Sequence, residues 1–171
     1  MESKVLIRTS IILGLVLTTV LFSFTSKKKL PIEGAWSVVE VLTVRPDGIR
    51  SSVFPTEGLA IFADKHYSFC WINHSSTLRS WQLPDSVKLT RFNQSIINTG
   101  TFEFKDSILT TKANMAMSIM FTKGVANFKC SFIGDTLVLR GLSVFSSENI
   151  AHPAYANGSH FVSKLVKIKE N

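Results

Sequence analysis

Cysteine is scarce. Cys70 and Cys130 are the only two in 171 residues, too few for the disulfide framework that staples small, core-poor domains. Nine glycines and five prolines exclude a collagen-like or low-complexity chain. Charged residues make up 18% of the sequence against 45% hydrophobic, which excludes intrinsic disorder. Metal-ligand spacing is also missing: His66, His74, His152 and His160 form no His-x-His or His-x-x-x-His pair, and no Cys-x-x-Cys occurs. There is no Gly-x-Ser-x-Gly elbow and no phosphate-cradling loop. No catalytic residue, metal or cofactor is implied by spacing. What the chain has in abundance is phenylalanine, at thirteen positions, and a length that fits one folded domain with an N-terminal extra.

That extra is residues 1–26. Lys4 and Arg8 precede an uncharged run of 16 residues, 9–24, rich in Ile, Leu and Val, which is the layout of a secretory signal. A spanning helix needs about 20 apolar residues, so an uncleaved anchor is the alternative reading. Ser23-Phe24-Thr25 places small residues where a signal peptidase reads them. No cysteine follows the run, which excludes lipoprotein processing. The expectation is an exported protein, periplasmic or secreted, with membrane attachment through residues 9–24 if the leader is kept. Residues 27–31 form a basic linker and residues 32–171 the folded domain.

Without the leader the net charge is +6, and Lys27, Lys28 and Lys29 supply half of it. The remaining charges are scattered singly. A nucleic-acid partner is disfavoured, because phosphate tracking needs a clustered basic face. The three lysines read as a solvated flank, or as a membrane-surface contact.

The exported part reads in the strand period. Tyr67, Phe69 and Trp71 share one face of a segment, Phe102 and Phe104 one face of another, and Phe128, Cys130 and Phe132 one face of a third. Leu137 and Leu139 continue the pattern. Glu103, Lys105, Lys129 and Arg140 fall on the opposite faces, as expected of antiparallel strands with one dry side. Turn residues separate the runs at Pro46-Asp47-Gly48, Ala63-Asp64-Lys65, Lys105-Asp106 and Ile133-Gly134-Asp135. The spacing predicts about eight or nine strands. One segment departs from it: Pro84-Asp85 followed by Val87, Leu89, Phe92 and Ile96 predicts a helix over 85–97. The fold class is all-β, and a small antiparallel up-and-down barrel removes the exposed edges such a chain must manage. A two-sheet sandwich is the rival.

Four segments carry a family likeness, in order. They are Ile32-Glu33-Gly34-Ala35-Trp36-Ser37-Val38-Val39-Glu40; Gly58-Leu59-Ala60-Ile61-Phe62 leading to His66-Tyr67-Ser68; Asn98-Thr99-Gly100-Thr101-Phe102-Glu103-Phe104; and Phe132-Ile133-Gly134-Asp135-Thr136-Leu137. Over residues 32–168 the chain resembles the bacterial lipocalin-like domain family. The resemblance implies a small up-and-down barrel with a side helix, open at one end. Gly34 would then permit close approach, and Trp36 would plug the narrow end. Lipocalins often cover that Trp with an Arg near the last strand, and here Lys167 is the cation in that place.

On this reading the interior wall is built from Tyr67, Phe69, Trp71, Phe102, Phe104, Phe128 and Phe132, with Met117 at an irregular edge that also holds Met115 and Met120. Tyr155, in a polar loop over 146–159 flanked by His152 and His160, would lie across the mouth. The partner expected is a small apolar or amphipathic molecule bound in the barrel. Two other readings stand beside it: a packed envelope barrel that presents its loops to a partner, and an enzyme using His66, Tyr155 or His160 as general acid or base. Cys70 and Cys130 fall on opposite faces by alternation, which argues against a disulfide between them.

Overall fold

The computed structural model describes residues 29–73 and 77–169. The expected leader over 1–26, residues 27 and 28 of the basic linker and His74 lie outside the described residues. Among the described residues no helix is long and apolar enough to cross a membrane.

The strands are β1 (Gly34–Val44), β2 (Arg50–Val53), β3 (Glu57–Ala63), β4 (His66–Ile72), β5 (Ser95–Lys105), β6 (Ile108–Ala116), β7 (Val125–Ile133), β8 (Thr136–Phe145) and β9 (His160–Lys167). Helix α1 (Asp85–Asn93) joins β4 to β5, a 3-10 turn (Ile119–Phe121) joins β6 to β7, and helix α2 (Pro153–Ala156) lies between β8 and β9. Every pairing is antiparallel, and from β3 to β9 each strand pairs with its neighbour in sequence. β1 pairs with β9 from Trp36 to Val44, and that seam closes the sheet. On its other edge β1 takes β3 at Gly34–Trp36 and β2 at Val41–Val44. The result is a closed eight-stranded barrel, the general lipocalin-like architecture, with β2 as one extra strand; the sandwich is not formed.

Two sequence expectations are corrected. The helix ends at Asn93 rather than at residue 97, because Ser95 already pairs with Ile72 and Ile96 with Trp71. Ile96 therefore serves the barrel wall. Helix α2 was not expected, and it forms where Pro153 at the first helical position fixes φ and the His152 side chain caps the Ala154 N–H.

The two ends of the barrel differ. At one end the hairpins are tight: Asp64 and Lys65, then Asp106 and Ser107, take positive φ in pairs, as two-residue turns between twisted strands require. At the same end Trp36 is 3% exposed and donates its Nε1–H to the Ile32 carbonyl at 2.8 Å. The Lys167 Nζ stands 4.2 Å from the centre of the Trp36 ring and donates to the Glu33 carbonyl. Gly34, at φ +129°, makes the room: a Cβ there would overlap the Lys167 Nζ. The close approach at Gly34 is thus by a lysine side chain, and it joins the two chain ends of the barrel into one plug. Ile32, Phe62, Leu137 and Leu165 complete this floor, all essentially inaccessible. At the opposite end the connections are long, spanning 45–49, 73–94, 117–124 and 146–159.

Candidate functional site

A cavity of about 330 Å³ occupies the barrel above the floor. It exists because large side chains face small ones across it. Phe69, Trp71 and Tyr67 project from β4 and Phe128 from β7, whereas Thr111 and Ala113 of β6, Ala126 of β7 and Ser163 of β9 supply little volume at the same level. Larger side chains at those small positions would close the space, since interiors otherwise pack to high density.

Five of the residues expected on the wall are there: Tyr67, Phe69, Trp71, Phe128 and Tyr155. The other four are elsewhere. Phe102 is 3% exposed within the core below, edge-on to Phe62 at 5.5 Å. Phe104 packs against the same core without reaching the cavity. Phe132 belongs to the floor end, 44% exposed, with its ring 6.3 Å from Trp36. Met117 lies just past β6, donating its N–H to the Ile97 carbonyl, and is not on the wall. Alternation assigned these four to the right general face or edge, but height along the barrel separates core, floor and cavity, and a strand period carries no height.

The mouth is partly covered by a cluster that only the fold assembles. The His152 ring stacks on Phe121 at 5.7 Å and 13°, and meets the rings of Tyr155 and Phe161 edge-on at 6.0 and 5.7 Å. Three separate elements, the 3-10 turn, α2 and β9, are thereby tied through one imidazole. Tyr155 turns into the barrel, where its hydroxyl fills the place a Cβ would take at Gly141. The loop over 146–159 does lie across the mouth. His66 does not belong to it: it sits exposed at the floor hairpin, with Nδ1 2.9 Å from the Asp64 carbonyl. His66 and Tyr155 are thus at opposite ends and share no chemistry. His160 begins β9 at the mouth but does not line the cavity.

The electrostatics of the wall are uniform. Among the described residues no Asp, Glu, Lys or Arg contributes to it. Burial raises the Tyr67 phenol above its ordinary value, partly offset by a hydrogen bond with Thr111, and burial raises Tyr155, partly offset by the Phe161 backbone. Burial lowers His152. Its Nδ1 accepts from the Ala154 N–H at 3.2 Å, which fixes the neutral ring with its proton on Nε2. All three groups are therefore uncharged near neutral pH. Asn98 and Thr43 add an amide and a hydroxyl near the mouth. Among the described residues no cluster of His, Cys, Asp and Glu has the makings of a metal site.

Both cysteines are free thiols. Cys70 lies 3.4 Å from the Ser68 hydroxyl on the outer face of β4, while Cys130 is buried in the core, as their alternation predicts. Burial pushes the Cys130 thiol up to about 12. Comparison with protein-family models, with curated proteins and with solved structures gives no match for this chain.

Proposed function

We propose that this chain is an exported lipocalin-like protein, akin to the bacterial lipocalin-like domain family, whose barrel holds one small, neutral, predominantly apolar molecule. The supporting observation is the cavity itself: about 330 Å³, walled by aromatic and aliphatic side chains, with no charged residue on its surface among the described residues. Such a wall favours apolar surface leaving water and penalises a buried ion that finds no partner. The polar handles are hydroxyls, one amide and a neutral imidazole, which suit an alcohol, carbonyl or phenol rather than a carboxylate. At about 30 Å³ per water-sized group, the volume admits roughly eleven non-hydrogen atoms.

Calorimetric titration with 1-decanol, decanoate and decyltrimethylammonium tests this. One saturable site is expected, with the alcohol tighter than either ion by about tenfold or more, because each ion must leave its charge in the mouth. Saturable uptake of none of the three would refute ligand binding and favour a barrel that acts through its loops.

A further inference from the structure

The mouth of the barrel is rimmed with exposed apolar side chains. Among the described residues twelve large apolar side chains are at least half exposed, and eight of them sit on the segments that connect strands at the open end. Scattered exposure of this kind is ordinary on any protein surface, but concentration at one end is not. Trp81 is fully exposed, and Ile49, Ile119 and Ile150 stand out from the three other connections. Helix α1 buries none of its residues; Leu89 and Phe92, one turn apart, carry its apolar side into solvent. Nothing in the barrel requires this helix to be amphipathic.

Around Trp81 and α1 the charges are mainly basic, whereas Asp47 and Glu148 lie in the connections on the other side of the mouth. Residues 77–93 contain Arg79, Lys88 and Arg91 against Asp85 alone, and Lys123 lies just beyond the 3-10 turn. Lys88 reaches Asp85 at 2.8 Å and Arg91 reaches Glu57 at 3.6 Å, both in exposed pairs of the kind that contribute little to the fold. Apolar side chains that include an exposed Trp, flanked by Lys and Arg, match the boundary between headgroups and acyl chains of an anionic bilayer.

We propose that the open end of the barrel docks on an anionic lipid surface, with Trp81, Leu89 and Phe92 entering the interface and Lys88, Arg91 and Lys123 facing the headgroups. This goes beyond ligand binding and stands independently of what fills the cavity.

The test uses the full chain and reads Trp81 itself, because residues 9–24 can hold the chain to a membrane by another route. Vesicles of phosphatidylcholine, with and without phosphatidylglycerol, carry brominated acyl chains, and the Trp81→Phe variant isolates the Trp81 signal from Trp36 and Trp71. Trp81 emission should shift to the blue and be quenched by the brominated chains when phosphatidylglycerol is present. Lys88→Gln with Arg91→Gln should raise the lipid concentration required by about tenfold or more. Leu89→Ser with Phe92→Ser should abolish the quenching while leaving the strand-type circular dichroism unchanged. Trp81 that remains unquenched on membrane-bound protein would overturn the proposal. Shielding of Trp81 that depends on protein concentration without lipid would overturn it too, in favour of a second copy of the chain on this face. Uptake of 1-decanol is measured on the same samples, so failure of the docking and failure of the ligand reading give separate signals.

Discussion

Filling the cavity from within should shorten the longest molecule it can enclose, and the structure sets the amount. Each methylene moved from water into an apolar site contributes about 0.8 kcal/mol, or roughly a fourfold gain in affinity. Along a series of straight-chain alcohols the affinity should therefore climb at up to about fourfold per carbon, less the cost of ordering the chain. The climb should break where the cavity is full. With about 330 Å³ of space and about 30 Å³ per group, the break falls near eleven non-hydrogen atoms, the size of 1-decanol. Longer alcohols extend through the mouth and gain little.

Ala113 is the position at which to move that break. It is buried, lies on the cavity wall, and projects from β6 on the side of the barrel that holds the small residues. Ala113→Leu adds three carbon atoms, which occupy about 90 Å³ by the same measure, and should bring the break down by about three carbons, to 1-heptanol. Displacement of a bound fluorescent probe by each alcohol, from butanol to tetradecanol, gives both curves. Thermal unfolding of the variant checks that the fold is intact. An unbroken slope beyond dodecanol would show adsorption to the outer surface rather than enclosure. A break that stays in place in Ala113→Leu would show that the molecule binds elsewhere.

Three further outcomes rest on named contacts. Lys167→Met should lower unfolding stability by about 1–2 kcal/mol in urea titrations through loss of the cation–π contact and the Glu33 hydrogen bond, and Trp36→Ala by about 3–5 kcal/mol; equal stability of Lys167→Met and wild type would remove the lysine from the plug. Burial holds His152 below its ordinary value, so the unfolded chain takes up a proton that the folded one resists; stability should be full above about pH 6.5 and fall on acidification. His152→Asn, which keeps a capping acceptor for Ala154 but does not titrate, should lose less stability between about pH 7.5 and pH 5, and an acid loss as large as the wild type's would place the titration elsewhere. Native protein should react with a thiol reagent at half-exposed Cys70 and not at Cys130, whose thiol is held neutral by burial; equal rates at both would contradict the core placement.

How much of this was legible in the sequence depends on where each residue sits along its strand. The face of β4 was plain because Tyr67, Phe69 and Trp71 alternate without interruption. The plug was legible too, since Trp36 opens the first strand and Lys167 closes the last, and closure of the barrel brings those ends together. Phe104 and Phe132 read as equivalent to Phe128 because a period of two fixes a face without fixing a depth. Thr111 and Ser163 went unnoticed for the opposite reason: small polar residues inside a barrel look like outward positions. Tyr155 was legible only as part of a loop, and its seat against Gly141 depends on a contact between β8 and the loop beyond it, with α2 shaping the approach.

Three strands interrupt the alternation where no local pattern announces it, and the breaks in β1 and β8 bear on the apolar character of the wall. β1 bulges between Val38 and Glu40. Trp36 and Val38 face inward below the bulge, and Val41 and Thr43 above it. Had the alternation continued, Glu40 would point into the cavity; instead its carboxylate lies outside, 2.7 Å from the Lys164 Nζ and hydrogen-bonded to Ser52. β8 bulges opposite the Asn127–Phe128 step, with Leu142 as the extra residue. That bulge brings Val144 to the wall and leaves Ser143 outside, in a polar chain with Asn127 and Thr110. β6 also bulges, at Asn114, where Gly100 across the ladder has no Cβ to overlap the Lys112 carbonyl. Each bulge costs ladder hydrogen bonds and reverses the in–out parity of the rest of its strand. In β1 the reversal keeps an ionised carboxylate out of a site that offers it no partner, a far larger penalty than the bonds forgone. The chain thus gives up regularity in the upper half of the barrel to keep an uncharged cavity open there, while the lower half, with unbroken strands and two-residue turns, holds the structure closed.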